Sequence, residues 1–172
     1  MNVFFLDSDP SVCAHEHVDS HCIKMILESG QIMATAHHLA GGEPPPGTFK
    51  PTHVHHPCCK WAASSIQNYQ WLGELGMHLC REYTERYGRV HARQDTIVLL
   101  AATPPRIQSI GFTSPAQAMP DELRMDDPIL AYRRYYNEYK SQTMRMVWKH
   151  GDIPVWYRPL IEVDGKPQGD SE

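Results

Sequence analysis

The residue types best suited to proton transfer and nucleophilic attack cluster in one stretch, Asp19-Ser20-His21-Cys22-Ile23-Lys24-Met25-Ile26-Leu27-Glu28. On a helix, side chains three and four positions apart share a face. His21, Lys24, Glu28, Gln31 and His38 then form one stripe, with Cys22, Ile23, Ile26, Leu27, Met33 and Ala34 on the other side. A carboxylate with an amine one turn away and an imidazole two turns away is a usable acid–base set. Periodicity alone also fits a plainer account, in which the stripe is the solvated face of an amphipathic helix. The kinds of group in the stripe weigh toward chemistry.

Two other stretches offer side chains that could serve that helix. The first opens at His55-His56-Pro57 and places Trp61, Ser65, Asn68 and Leu72 on one helical face. Trp61 and Leu72 read as core. Ser65 and Asn68, polar beside a tryptophan, need partners there: each other, the first helix, or a ligand. The second interleaves Tyr132, Tyr135, Tyr136 and Tyr139 with Arg133, Arg134, Lys140 and Arg145. Aromatics among basic residues can stack on bases and hold phosphates, although tyrosines at this spacing also suit a core and its rim.

These residues must be positioned by helices. Asp19 reads as the N-cap of a first long helix, proline-free to Leu39, with Gly30 its one weak point. Residues 41–51, rich in glycine and proline, break regular structure. Pro57 suits the first position of a second long helix running to Tyr87, bent at Gly73 or Gly76 and stopped by Gly88. A shorter helix is expected over 93–101, then loop over 103–126. Asp127-Pro128 opens a third long helix that Gly151 ends, and Asn2–Leu6 reads as a short buried or extended segment. The expectation is an all-α fold of three long helices with irregular Pro/Gly-rich connections. It comprises one compact domain over 1–160 and an acidic, disordered tail over 161–172.

Composition narrows the partners. A chain of 172 residues, 41% hydrophobic and 21% charged, has the make-up of one soluble domain. No apolar run approaches the roughly 20 residues that span a bilayer. The five cysteines, two of them adjacent, do not suggest a disulfide framework, so a cytoplasmic setting is expected. Glu162, Asp164, Asp170 and Glu172 against Lys166 give the tail a net −3, which leaves the body −1 of the total −4. A near-neutral body is not the basic slab of a strong nucleic-acid binder, although a local basic patch remains compatible with it. Phosphate-loop, nucleophile-elbow and dinucleotide-binding fingerprints are absent.

Taken together, these segments resemble the pyrimidine-dimer DNA glycosylases of the phage endonuclease V type. The similarity covers about the first ninety residues. It is carried by Asp19-Ser20-His21 with Glu28, by His55-His56-Pro57 leading into Trp61–Leu79, and by Cys80-Arg81-Glu82 with Arg86-Tyr87-Gly88; Trp156-Tyr157 matches a closing Trp-Tyr. Phage and bacterial proteins with an Asp-Lys-His-x-x-Lys-Met-x-x-Glu pattern are similar too, Ser20 being the one departure. The resemblance implies an enzyme that cleaves an N-glycosidic bond with associated lyase chemistry, through an amine that attacks C1′. Glu28 would stabilise the developing positive sugar and shuttle protons, and His21 would orient Glu28 or the substrate.

Two departures shape the expectation. The family uses the α-amine of a small residue exposed by removal of the initiator methionine, whereas Asn2 is too large for efficient removal. The amine is then that of Met1 or, as the nearest replacement, of Lys24. The family also clamps phosphates with arginines on the catalytic helix, where this chain offers Leu27 and Gln31.

The reading is a DNA or nucleotide N-glycosylase acting on a damaged or modified pyrimidine, without cofactor or membrane partner. Glu28, His21 and Lys24 are the expected catalytic residues. Gln31, His38, His56, Trp61, Ser65 and Asn68 are the expected lining of the substrate pocket, with Arg134 and Lys140 as phosphate contacts. One rival is a metal enzyme built on His15, His17, His37, His38, His53, His55 and His56 with Cys58 and Cys59, although no Cys-x-x-Cys or His-Glu-x-x-His spacing occurs. The other is a non-enzymatic helical protein that binds a partner through its tyrosine-rich third helix.

Overall fold

Three helices start on the same device, a capping side chain followed by proline. Asp9 accepts hydrogen bonds from the Ser11 and Val12 amides ahead of α1 (Pro10–Glu16), and His56 accepts from the Cys58 amide ahead of α3 (Pro57–Ser64). Asp127 accepts from the Ile129 and Leu130 amides ahead of α6 (Pro128–Tyr135). In each, proline occupies the first helical position, where its missing N–H leaves no bond unmade. The other helices are α2 (Asp19–Leu39), α4 (Ile66–Tyr87) and α5 (Gln94–Ala102). The computed structural model describes residues 1–149 and 152–158, among which there is no strand. The expected acidic tail lies outside the described residues.

The fold is all-α, with two long helices rather than three. The expected helix from Pro57 to Tyr87 is broken at Ser65, whose backbone is extended (φ −150°, ψ 143°) and whose hydroxyl caps α4. The expected third long helix is α6, one wide π turn (Tyr136–Lys140) and a last turn, α7 (Ser141–Thr143); the chain leaves helical geometry at Met144. Helix α1 was not anticipated, although Asp9-Pro10 carries the same signal as Asp127-Pro128. The only other helical turn in the 103–126 connection is a 3-10 turn at Asp121–Leu123.

Helix α4 is the hub, packing against α1, α2, α3 and α5. The glycines of the long helices are points of close contact. A Cβ on Gly76 would sit 3.0 Å from Ile97, and one on Gly30 would sit 2.3 Å from the ring of Phe49. Gly30 thus admits the loop after α2 against the helix itself.

Asp19 does not cap α2; Val18 occupies that position with no side-chain bond. The Asp19 carboxylate accepts from Arg86 Nη1 (3.1 Å) and from the Lys149 amide (3.0 Å). Arg86, 3% exposed, also donates to the carbonyls of His15 and His17 and to Glu82. One buried guanidinium therefore ties together the end of α1, the start of α2 and α4, and satisfies carbonyls that a helix end leaves open.

Residues Asn2–Leu6 run through the centre of the molecule, all five buried. They contact α2 on one side and α6 on the other, while His21 of α2 still reaches the π turn directly.

Candidate active site

Glu28 is 6% exposed and lies under the first residues of the chain. The Asn2 amide donates to its Oε2 at 2.8 Å. Lys24 Nζ is 3.2 Å from Oε1, and the Met1 nitrogen, an ammonium in this structure, is 3.9 Å from the same oxygen. Lys24 is well exposed, so the carboxylate meets solvent on that side and protein on the others. The spacing Lys24–Glu28 produces this pair as one helical turn must.

Asn2 fixes the strand of chain over Glu28. Its Oδ1 accepts from the amides of Val3 (2.8 Å) and Phe4 (3.3 Å), and its Nδ2 donates to the Ala118 carbonyl (2.8 Å). The Tyr132 hydroxyl lies 2.7 Å from that same Oδ1. This network holds Phe4 at φ 48°, the left-handed region that bulky side chains avoid. Such strain costs on the order of 1–3 kcal/mol and persists where the surroundings over-determine it. Its effect is to stack the Phe4 ring on His21, with centroids 4.2 Å apart, and alongside Tyr135.

His21 is buried, not part of a solvated face, and its Nδ1 lies 2.6 Å from the Tyr136 hydroxyl. Desolvation above all, with the nearby charges of His17, Lys140 and Lys24, pushes its pKa down to about 2. The imidazole is therefore neutral in ordinary buffers and packs between the Phe4 ring and the Tyr136 hydroxyl. His56 lies within electrostatic reach of Glu28. Burial lowers its pKa first, and the Met1 ammonium and His53 add to this, with Glu28 opposing. Its Nδ1 accepts the Cys58 amide, so the ring proton sits on Nε2.

Lys140 arrives from the π turn. Its Nζ lies over the rings of Tyr135, Phe4 and Tyr139 at 5.1, 5.5 and 5.9 Å. Burial and the charge of Lys24 lower its pKa, and Glu28 acts in the opposite sense. Lys140 is thus within electrostatic reach of both.

Of the residues expected from sequence, Glu28, Lys24, His21, His56 and Lys140 come together, and Gln31 follows one turn along α2, partly exposed. His38 is exposed near the helix end, away from them. Trp61, Ser65 and Asn68 form a different cluster, bonded to the loop 109–113: Trp61 Nε1 donates to the Thr113 carbonyl, and Ser65 Oγ is 2.6 Å from the Gly111 carbonyl. Asn68 exchanges bonds with the amide and hydroxyl of Thr113 and also donates to the Trp61 carbonyl. Their polar atoms are taken up by the protein's own loop. Arg134 pairs with Glu138 at 2.9 Å and lines a hollow of about 410 Å³ with Arg133, Trp156 and Arg158.

Asn2, Phe4 and Tyr136 were not among the site residues expected from sequence. Nothing in residue type or spacing shows that Asn2 would hook the chain over α2.

The residues of the two rival readings are placed as follows. Among the described residues, no group of three or more His, Cys, Asp or Glu side chains is arranged to hold a metal ion. The histidines are spread over separate partners: His15 on Glu82, His17 on the Cys13 carbonyl, His37 on Tyr69. Burial holds the thiols of Cys58 and Cys59 protonated, with pKa values raised to about 12 and about 11. In the tyrosine-rich segment Tyr132, Tyr135 and Tyr136 are buried and Tyr139 is exposed. Among the described residues, no helix is long and apolar enough to cross a membrane.

No protein family, no characterised protein and no solved structure matches this chain.

Proposed function

We propose that this protein cleaves an N-glycosidic bond in DNA or in a nucleotide, at a damaged or modified pyrimidine, by an amine-dependent route that permits a following lyase step. The observation that carries the reading is the buried Glu28 carboxylate with the Met1 and Lys24 nitrogens at 3.9 and 3.2 Å. A carboxylate kept from bulk water beside amines is suited to stabilise a sugar cation and to pass protons between an amine and a ring oxygen. The neutral His21 and the fixed Phe4 ring give that site a rigid apolar wall. The resemblance to the pyrimidine-dimer glycosylases supplies the bond that is broken. Duplex DNA, single strands and free nucleotides all present it.

The test is incision of ultraviolet-irradiated and of abasic duplex DNA by the purified protein, with borohydride present to trap an imine. Wild type is expected to cut and to form a covalent adduct. Glu28→Gln, which keeps the shape and removes the charge, is expected to lose cleavage by on the order of 10²-fold or more. An uncut strand and no adduct on either substrate would overturn the duplex-repair form of the reading and direct the same assay to free nucleotides.

A further inference from the structure

We propose that Lys140, carried by the π turn onto the rings of Phe4, Tyr135 and Tyr139, is the amine that attacks C1′; this rests on the amine-and-carboxylate reading of the site given above.

Three nitrogens surround Glu28, and their environments differ. Lys24 is exposed and ion-paired with Glu28 at 3.2 Å. An amine engaged by a carboxylate must give up that contact before it can attack. The Met1 nitrogen is also within 4 Å of that carboxylate, at 3.9 Å. Lys140 is half-buried, and among the described residues no carboxylate lies within ion-pair distance of it. Its neighbours are aromatic faces and the positive charge of Lys24. Desolvation and a neighbouring cation are the two conditions that turn a lysine into a Schiff-base nucleophile. The lowered pKa of Lys140 has those two causes.

Two local features, both built on buried residues, hold the amine there. The five residues Tyr136–Lys140 are π-helical, a geometry rare in proteins and frequent at functional sites. The widened turn lets Tyr136 reach inward to His21 while Lys140 lies over Tyr135. The strained Phe4 forms the floor beneath the same nitrogen.

The step balances as follows. The Lys140 lone pair attacks C1′, and the electrons of the C1′–N bond leave with the base, which takes a proton from water. Glu28 removes a proton from the new C1′–N ammonium and returns it to O4′ as the C1′–O4′ bond opens. The nitrogen lone pair then forms the C1′=N iminium. Borohydride delivers hydride to C1′ and leaves a stable secondary amine.

The experiment traps the full-length protein on an abasic duplex with borohydride, digests it with trypsin and locates the sugar remnant by mass spectrometry. The remnant is expected on the peptide that joins Tyr135 to Arg145 through an uncut Lys140. Lys140→Arg preserves the charge and removes the nucleophile, so it is expected to lower adduct yield by on the order of 10²-fold or more, with Lys60→Arg, at an exposed lysine of α3, close to wild type. Circular dichroism establishes that both variants fold; mapping on wild type stands whether or not they do. A remnant on Lys24 or on the N-terminal peptide, or a Lys140→Arg protein that traps like wild type, overturns the role of Lys140 and leaves the glycosylase reading intact. A wild type that cuts nothing and traps nothing removes the reading beneath it as well.

Discussion

Asn68 and Glu28 are both polar, both buried and both central to a network, and the protein treats them in opposite ways. Every polar atom of Asn68 is matched: its Nδ2 donates to the Trp61 carbonyl and Thr113 Oγ1, and its Oδ1 accepts from the Thr113 amide. All the partners are neutral, and the result fixes one loop to the α3–α4 junction. Glu28 is a buried carboxyl group that receives a single backbone N–H and is otherwise faced by amines. With Lys140 close by and unpaired, cationic nitrogens outnumber carboxylates there. A saturated neutral network specifies shape. A buried charge left among mobile amines does not improve stability, and such local departures concentrate where chemistry is done.

The largest test of that contrast is Asn68→Ala. It strands the Thr113 amide, where an unmet group costs roughly 1–3 kcal/mol, and takes one of two bonds from the Trp61 carbonyl, which keeps the Ser64 hydroxyl. The expected loss is on the order of 3 kcal/mol in urea unfolding, with adduct formation retained by the folded fraction at low temperature. A loss of trapping without a loss of stability would place Asn68 in the substrate pocket and erase the distinction.

Acid dependence gives the next effect. Desolvation lowers the pKa of His17 to about 4 and that of His21 to about 2, so both are neutral in the fold at pH 6. In the unfolded chain they take up protons near pH 6.5. The unfolded state then binds more protons, and stability falls as pH drops through 6.5, with a slope approaching 1.4 kcal/mol per unit for each histidine. The slope of His17 flattens near pH 4 and that of His21 persists lower; Glu16, whose pKa burial raises, works the other way. Urea midpoints at pH 7.5, 6 and 5 read the slope, and His21→Phe should make it shallower. An unchanged slope in that variant would mean that His21 is not held neutral beside the site.

The pair Lys24–Glu28 was legible in sequence because both residues lie on one helix and an i,i+4 spacing fixes their distance whatever the tertiary fold. Its burial was not. Periodicity assigned His21 and Glu28 to solvent with Lys24, and Ile23 and Leu27 to the core, whereas Ile23 and Leu27 are the exposed ones. The reversal has one cause: the segment Asn2–Leu6 lies on the side of α2 that carries His21 and Glu28. A hydrophobic pattern tells which residues differ from their neighbours, and a partner far away in sequence decides which side is covered. The break at Ser65 was hidden for a similar reason, since the extended residue is stabilised by Gly111 and Gln67 rather than by local propensity. The π turn has no sequence signature, so Lys140 appeared only as one basic residue among several on a tyrosine-rich helix.

The smallest effect is the most discriminating one. Lys140→Met keeps an unbranched stem of similar length on the rings of Phe4, Tyr135 and Tyr139 and removes a half-buried, unpaired cation. A lysine placed there for architecture would contribute cation–π attraction of about 0.5–1 kcal/mol, and its loss would lower Tm by a few degrees. A lysine held there for its lone pair bears a desolvation cost that the ring contacts only partly offset, so its removal leaves Tm unchanged or raises it by up to about 2–4 °C. We expect the second outcome, together with loss of the borohydride adduct. A fall in Tm of the first size would make Lys140 a counterpart of Asn68, a residue kept for shape, and Glu28 would have to find its nucleophile among the two nitrogens it already holds.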